Sequence, residues 1–117
     1  MINGLQEAVD RWLSSYNSSR SFTDETFDFE LEQFLHSSSP EFLISLVYEL
    51  SQQELSNKAE AFLGAGIAEE LLLKNASVIG EIIEMSRKHP RFRNIFTYAW
   101  ESDRMSPEAI NFLMSLQ

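Results

Sequence analysis

The residue types that carry acid–base and nucleophilic chemistry are few in this chain and are not grouped. The two histidines, His36 and His89, lie far apart and do not form a pair at metal-ligand spacing. The serines stand outside the context of a nucleophile elbow, and no histidine and carboxylate are spaced to form a triad with them. Because catalysis requires convergent groups, the sequence predicts that the chain is not an enzyme.

Two further patterns match ligand sites only in part. Glu81 and Glu84 lie three residues apart, but the Glu-x-x-His pattern of carboxylate-bridged iron sites is missing. Gly64-Ala65-Gly66 precedes a predicted helix, yet no strand comes before it and no lysine follows where a phosphate-binding loop needs one. We therefore expect no metal and no cofactor, and we expect the pair Gly64 and Gly66 to end a helix.

The most distinctive charged pattern is a group of acids in the first third of the chain. Asp24, Asp28 and Glu32 are spaced four apart and would line one helix face. Like charges at this spacing destabilise a helix by roughly 0.2–0.5 kcal/mol per pair. A solvated face is the commoner explanation of such a stripe, and a surface that binds something basic is the functional one. The candidate partner-binding residues, with two neighbouring acids and two aromatic anchors, are Asp24, Glu25, Asp28, Glu30, Glu32, Phe22 and Phe29.

A basic cluster surrounds Pro90. Its members are Arg87, Lys88, His89, Arg91 and Arg93. A nucleic acid contact is one interpretation, but the net charge of −9 favours pairing of these bases with Glu81, Glu84 or Glu101. We therefore expect no nucleic acid partner.

Composition and charge distribution set the class of protein. The chain has 117 residues, 44% of them hydrophobic, and no cysteine, which fits one core without disulfides. Residues 1–55 carry ten acids against two bases, a balance of −8, whereas residues 56–117 carry eight acids against seven bases, a balance of −1. A field of one sign on one half steers basic partners towards it. Neither a signal peptide nor a membrane span is evident, so we expect a cytoplasmic protein.

Apolar residues recur at helical spacing almost throughout. The pattern predicts an all-α fold: one compact domain over residues 1–117, with about eight short helices in a bundle or a stack of helical hairpins. Ser39-Pro40-Glu41 and Ser106-Pro107-Glu108 are helix starts, and Ser51 with Glu54 predicts another. Residues 27–32 also alternate apolar and acidic residues as a strand would, but a lone strand has no partner, so a helix is favoured.

Residues 59–100 resemble a family of uncharacterised bacterial all-helical domains of unknown function. The segment from Phe62 to Leu72 resembles the Leu-Ala-Ala-Gly-Pro-Leu-Glu-Asp-Leu-Leu core of that family. Residues 79–84, 90–93 and Trp100 follow its later positions in order. The family's proline after the glycine is Ile67 here, and its His-Gly pair reads Asn75-Ala76, which puts in doubt any activity that depends on those positions. The resemblance implies a helical fold and assigns no reaction.

In size and acidity the chain also resembles immunity proteins of polymorphic-toxin and contact-dependent inhibition systems. That resemblance implies a protein that binds and neutralises a basic cognate toxin domain, with a nuclease expected, by presenting carboxylates where the toxin expects phosphates. The alternative is a general interaction or adaptor domain without a toxin partner, in which a helical groove forms the binding surface.

Overall fold

The clearest local signals in the sequence are the two Ser-Pro-Glu helix starts. The computed structural model describes residues 2–17, 27–74 and 76–116. In it, Ser39 and Ser106 each cap a helix, because each side chain accepts a hydrogen bond from a backbone N–H three residues further on. Proline occupies the first turn of both helices. Both predicted starts are confirmed.

Within the described ranges the chain forms eight α-helices and no strand. The helices are α1 Leu5–Tyr16, α2 Phe29–His36, α3 Pro40–Ser51, α4 Asn57–Leu63, α5 Glu69–Lys74, α6 Ile79–Lys88, α7 Pro90–Ile95 and α8 Pro107–Ser115. Short 3-10 turns at Ala76–Val78 and Phe96–Tyr98 precede α6 and follow α7. The all-α fold is confirmed. The strand considered for residues 27–32 is absent from this part of the chain, since α2 begins at Phe29.

A five-residue π turn, Gly64–Ala68, joins α4 and α5 into one continuous rod. The prediction that Gly64 and Gly66 end a helix is therefore wrong. Gly64 has ordinary helical dihedral angles, φ −67° and ψ −44°. A Cβ atom here would overlap the carbonyl oxygen of Ile95 and come within 2.6 Å of the Cβ of Tyr98. Glycine is needed at this position because two backbones pack closely together, not because the helix ends.

The start of α4 also differs from the prediction. Ser51 lies buried at the end of α3, and Ser56 caps α4 instead. The Asn17 side chain, at the end of α1, donates to the carbonyl oxygen of Glu54 and accepts from the N–H of Ser56, both at 2.9 Å. This long-range bridge holds the connection before α4 in an extended path, which a local capping pattern does not encode.

The core is built around α3, which packs against α1, α5, α7 and the π turn. On one side Trp12 and Tyr16 of α1 contact Phe62 of α4, with ring centroids 6.2 and 4.7 Å away. On another side Phe96 lies 5.6 Å from Phe112 of α8. The first aromatic group fixes α1 against the α4–α5 rod, and α2 packs beside α1.

Candidate functional site

The predicted partner-binding residues divide into two sets. Phe22, Asp24 and Glu25 lie outside the described residues. The described ones lie at the start of α2 and are Asp28, Phe29, Glu30 and Glu32. The structure gives these four side chains different surroundings, so they contribute to the surface in different ways.

Asp28 is used within the fold. Its carboxylate caps α2 by accepting from the N–H of Leu31 at 3.1 Å, and it accepts two hydrogen bonds from the Arg11 guanidinium, at 2.7 and 3.1 Å. Ser15 donates a further hydrogen bond at 3.2 Å. Burial alone would raise the pKa of Asp28, but these hydrogen bonds and the charge of Arg11 lower it overall. With only 12% of its side chain exposed, Asp28 ties α2 to α1.

Arg11 also neutralises the next acid. Its Nη1 atom lies 2.8 Å from Oε1 of Glu30, whose side chain is exposed. One base thus holds two of the predicted binding acids. The sequence contained a signal for this pairing, because Arg11 is one of only two bases among the first 55 residues.

Glu32 behaves differently from its neighbours. Its side chain is half-buried, and Oε2 is buried without a hydrogen-bond partner in the described part of the chain. Burial raises the pKa of Glu32, and the negative charges of Asp28 and Glu70 raise it further. An unpaired buried oxygen of this kind costs free energy in the folded state. Glu32 thus differs from Asp28 and Glu30, which both pair with Arg11, in having no basic partner in the described part of the chain.

Glu32 lines a cavity of about 370 Å³ between α1, α2 and the π turn. The cavity has an apolar part and an acidic part. The residues that line it are Trp12, Glu32, Leu35, His36, Phe62, Ala65, Gly66, Ile67, Glu69 and Glu70. Three carboxylates beside apolar and aromatic side chains suit a ligand that is both cationic and partly apolar.

The other two carboxylates of the cavity have partners within the protein. Glu69 accepts a hydrogen bond from the backbone N–H of Trp100 at 2.7 Å. Glu70 forms an ion pair with Lys74, one turn later on α5, at 2.9 Å. Both contacts are exposed, so water and an incoming cation can compete for them. The cavity was not predicted from the sequence, because its residues come from α1, α2 and the continuous rod of α4, the π turn and α5, which are distant in sequence.

Exposed aromatic side chains lie near α2. Phe29 is 74% exposed and contacts Phe27, with ring centroids 4.7 Å apart. Phe29 is one of the two aromatic anchors predicted from the sequence, and its exposure is compatible with that role.

The basic cluster around Pro90 is partly satisfied by the protein itself. Arg87 and Lys88 lie 3.8 and 3.5 Å from the carboxylate of Glu84, so the predicted pairing with that acid is confirmed. Arg91 donates to a carbonyl oxygen at the end of α3, and Arg93 to one at the end of α8. Four bases of the cluster therefore have partners within the protein: Arg87 and Lys88 form surface ion pairs, and Arg91 and Arg93 bind backbone carbonyl groups.

The described residues contain no group of three or more histidines or carboxylates arranged to hold a metal ion. None of their helices has the length and apolar character needed to cross a membrane.

Comparison with known proteins gives no relative from which a role could be transferred. No protein-family model matches the chain, and neither a curated protein nor a solved structure shows significant similarity to it. Function must therefore be argued from the site itself.

Proposed function

We propose that this domain binds a basic protein and acts as an immunity-type inhibitor of a toxin domain, with a nuclease as the expected target. The observation that carries the proposal is the acidic cavity beside α2, which is lined by Glu32, a carboxylate without a basic partner in the described part of the chain. The resemblance in size and acidity to immunity proteins points the same way. In this proposal α2 forms one wall of a binding cavity, whereas the sequence had suggested a stripe of acids on its surface.

The charge distribution supports fast capture of a basic partner. Most of the net charge of −9 belongs to residues 1–55, which include α1 and α2. A concentrated negative field raises the association rate with a positively charged protein, and salt weakens that effect. The negative field of residues 1–55 as a whole would act mainly on the rate, and the cavity mainly on the lifetime of the complex.

Inhibition follows from what a nuclease presents to its substrate. A phosphate-binding surface is rich in arginine and lysine, and the carboxylates that line the cavity can pair with one such side chain in place of a phosphate. Phe29, exposed on α2, adds apolar contact area. Binding of this kind would cover the toxin surface without any reaction by the inhibitor.

The decisive experiment is co-purification with the variable C-terminal domain of a secreted protein encoded immediately upstream, together with rescue of cells that express that domain. Binding should be measured by calorimetry over a range of salt concentrations. The double variant Glu32→Gln/Glu70→Gln should bind at least about tenfold more weakly, since charge-assisted hydrogen bonds are lost.

A matched control separates the cavity from net charge. Glu81→Gln/Glu108→Gln changes the charge equally on the exposed first turns of α6 and α8. This variant should keep its lifetime on the partner and lose only a small part of the association rate. Failure of the wild-type protein to bind or to rescue would overturn the proposal.

The alternative of an adaptor domain is favoured by a different surface. Trp100 is 76% exposed beside a second cavity, of about 310 Å³, which the side chains of Phe96, Leu113 and Leu116 also line. An apolar helix of a partner would suit this surface. Binding that is insensitive to salt, lost in Trp100→Ala and unchanged in Glu32→Gln/Glu70→Gln would support the adaptor function instead.

A further inference from the structure

The acidic cavity has a composition that selects an amphipathic cation. Trp12, Leu35 and Ile67 supply apolar surface, and Phe62 supplies an aromatic wall. The carboxylates of Glu32, Glu69 and Glu70 line the same space. A ligand that fills it must bury an apolar stem and place a positive group among carboxylates, as the long basic side chains do.

Size restricts the ligand to a single side chain or a small molecule. Ligand pockets generally have volumes of roughly 300–1,000 Å³, so the cavity, at about 370 Å³, lies at the lower end. A helix is about 10 Å in diameter with its side chains and cannot enter such a space. The cavity therefore suits one anchoring residue of a larger partner.

Glu32 supplies the unmet hydrogen-bonding capacity. Glu69 and Glu70 have the backbone N–H of Trp100 and the ammonium group of Lys74 as partners, whereas Oε2 of Glu32 is buried without one in the described part of the chain. A cationic donor that enters the cavity would pair with the carboxylate of Glu32, which lines it and has no basic partner in the described part of the chain. It would also relieve the repulsion between Glu32 and Glu70.

A guanidinium group meets these requirements better than an ammonium group. It is planar, carries five donors in a fixed arrangement and stacks on aromatic rings such as that of Phe62. It is also more weakly hydrated, so its entry into a partly apolar cavity costs less than that of lysine. Carboxylates beside aromatic rings therefore favour arginine.

We propose that the cavity between α1, α2 and the π turn is an arginine receptor, which takes the guanidinium group of one arginine of the partner and pairs it with Glu32. The inference rests on the proposed function for the identity of the partner, and on the cavity alone for the chemistry of recognition. Glu32 is the central binding residue, with Glu70 and the ring of Phe62 in supporting roles.

The test uses the whole chain and three short peptides, acetyl-Gly-Arg-Gly-amide and its lysine and citrulline counterparts, in an NMR titration. The arginine peptide should give saturable shifts at the amide of Gly66 and the indole of Trp12, both cavity-lining residues. Citrulline has nearly the same shape without charge and should give no saturable shift. Lysine should bind at least about threefold more weakly than arginine.

Variants locate the binding group. Glu32→Gln should weaken arginine binding by about tenfold, whereas Glu81→Gln, an equal charge change at an exposed position on α6, should leave it unchanged. Equal binding of the citrulline or lysine peptide, unaltered affinity in Glu32→Gln, or no saturable shift up to the solubility of the arginine peptide would each overturn the inference.

The two proposals fail separately. If the arginine peptide binds through Glu32 but the toxin domain does not bind, the cavity assignment stands and the immunity function is wrong. If the toxin domain binds and Glu32→Gln retains full affinity for it, the immunity function stands and the arginine receptor is wrong.

Discussion

Replacement of Gly64 by alanine sets two effects of opposite sign against each other. Gly64 has helical dihedral angles inside the α4–α5 rod. Helix propensity alone predicts that alanine stabilises such a position, by about 0.8–1.0 kcal/mol. The structure predicts the reverse, because the new Cβ would overlap the carbonyl oxygen of Ile95 and lie 2.6 Å from the Cβ of Tyr98.

The magnitude follows from which atoms have to move. One is a backbone oxygen and the other is attached directly to the backbone, so no side-chain rotation relieves the contact. Overpacking of this kind costs roughly 1–3 kcal/mol, and a rigid neighbour favours the upper end. After the propensity gain is subtracted, Gly64→Ala should lower the free energy of unfolding by about 2 kcal/mol.

Urea unfolding, followed by far-UV circular dichroism, measures this difference. Gly66→Ala and Gly80→Ala are matched controls, since a Cβ at either helical position has no neighbour within 4 Å. Each control should gain about 0.4–1 kcal/mol, because alanine restricts the unfolded chain. Equal stability of the Gly64 and Gly66 variants, with unchanged denaturant slopes, would refute the close approach of the two backbones.

Three further variants test the contacts around α2 and α4. Glu32→Gln should stabilise the protein at neutral pH by roughly 0.5–1 kcal/mol, because it removes repulsion from Asp28 and Glu70, as chemical unfolding will show. Its raised pKa means that the folded state holds a proton to higher pH than the unfolded chain. The contribution of Glu32 to stability therefore falls as pH rises from about its ordinary value of 4.5, and the advantage of the variant should shrink on acidification. Asp28→Ala should cost about 1–2 kcal/mol in urea unfolding at neutral pH, through the lost cap and the lost Arg11 contacts. Because the pKa of Asp28 is lowered, its contribution is present above the ordinary value of 3.8 and is lost as pH falls through the folded-state pKa. Asn17→Ala should cost about 1 kcal/mol in thermal unfolding, since two hydrogen bonds before α4 disappear.

Each of these variants has an outcome that contradicts the structure. A pH-independent difference between Glu32→Gln and wild type would mean that Glu32 titrates normally. An additive double variant of Asp28→Ala and Arg11→Ala would show that the two side chains are not coupled. For Asn17, the isosteric Asn17→Asp keeps the acceptor and loses the amide donor. Equal stability of the Asp and Ala variants would show that the acceptor does not contribute.

Helix starts were predictable because capping chemistry is local. Ser39 and Ser106 need only their own next three residues to form a cap, and both begin helices as expected. The all-α fold was predictable for a similar reason, since apolar spacing records which face of each helix is buried. Ser51 shows the limit of such signals, because Ser56 caps α4 instead and Asn17 holds the connection before it.

The candidate site was less predictable because it is tertiary. Asp28 and Glu32 carry the same charge and lie one helical turn apart in the sequence. Arg11 nevertheless pairs with Asp28, whereas Glu32 has no ion pair in the described part of the chain. Only the packing of α2 on α1 decides this difference. The cavity likewise forms only because the α4–α5 rod passes beside α2, and no local sequence pattern predicts that tertiary contact.

The π turn explains how buried residues four apart in the sequence can all lie on one face of the rod. Ala59, Leu63, Ile67 and Leu71 are all buried and are spaced four residues apart. In a regular α-helix each such step rotates the side chain about 40° beyond a full turn, which adds up to about 120° over three steps. One extra residue in a π turn offsets about 100° of this drift. The rod thus keeps one face inward along its whole length.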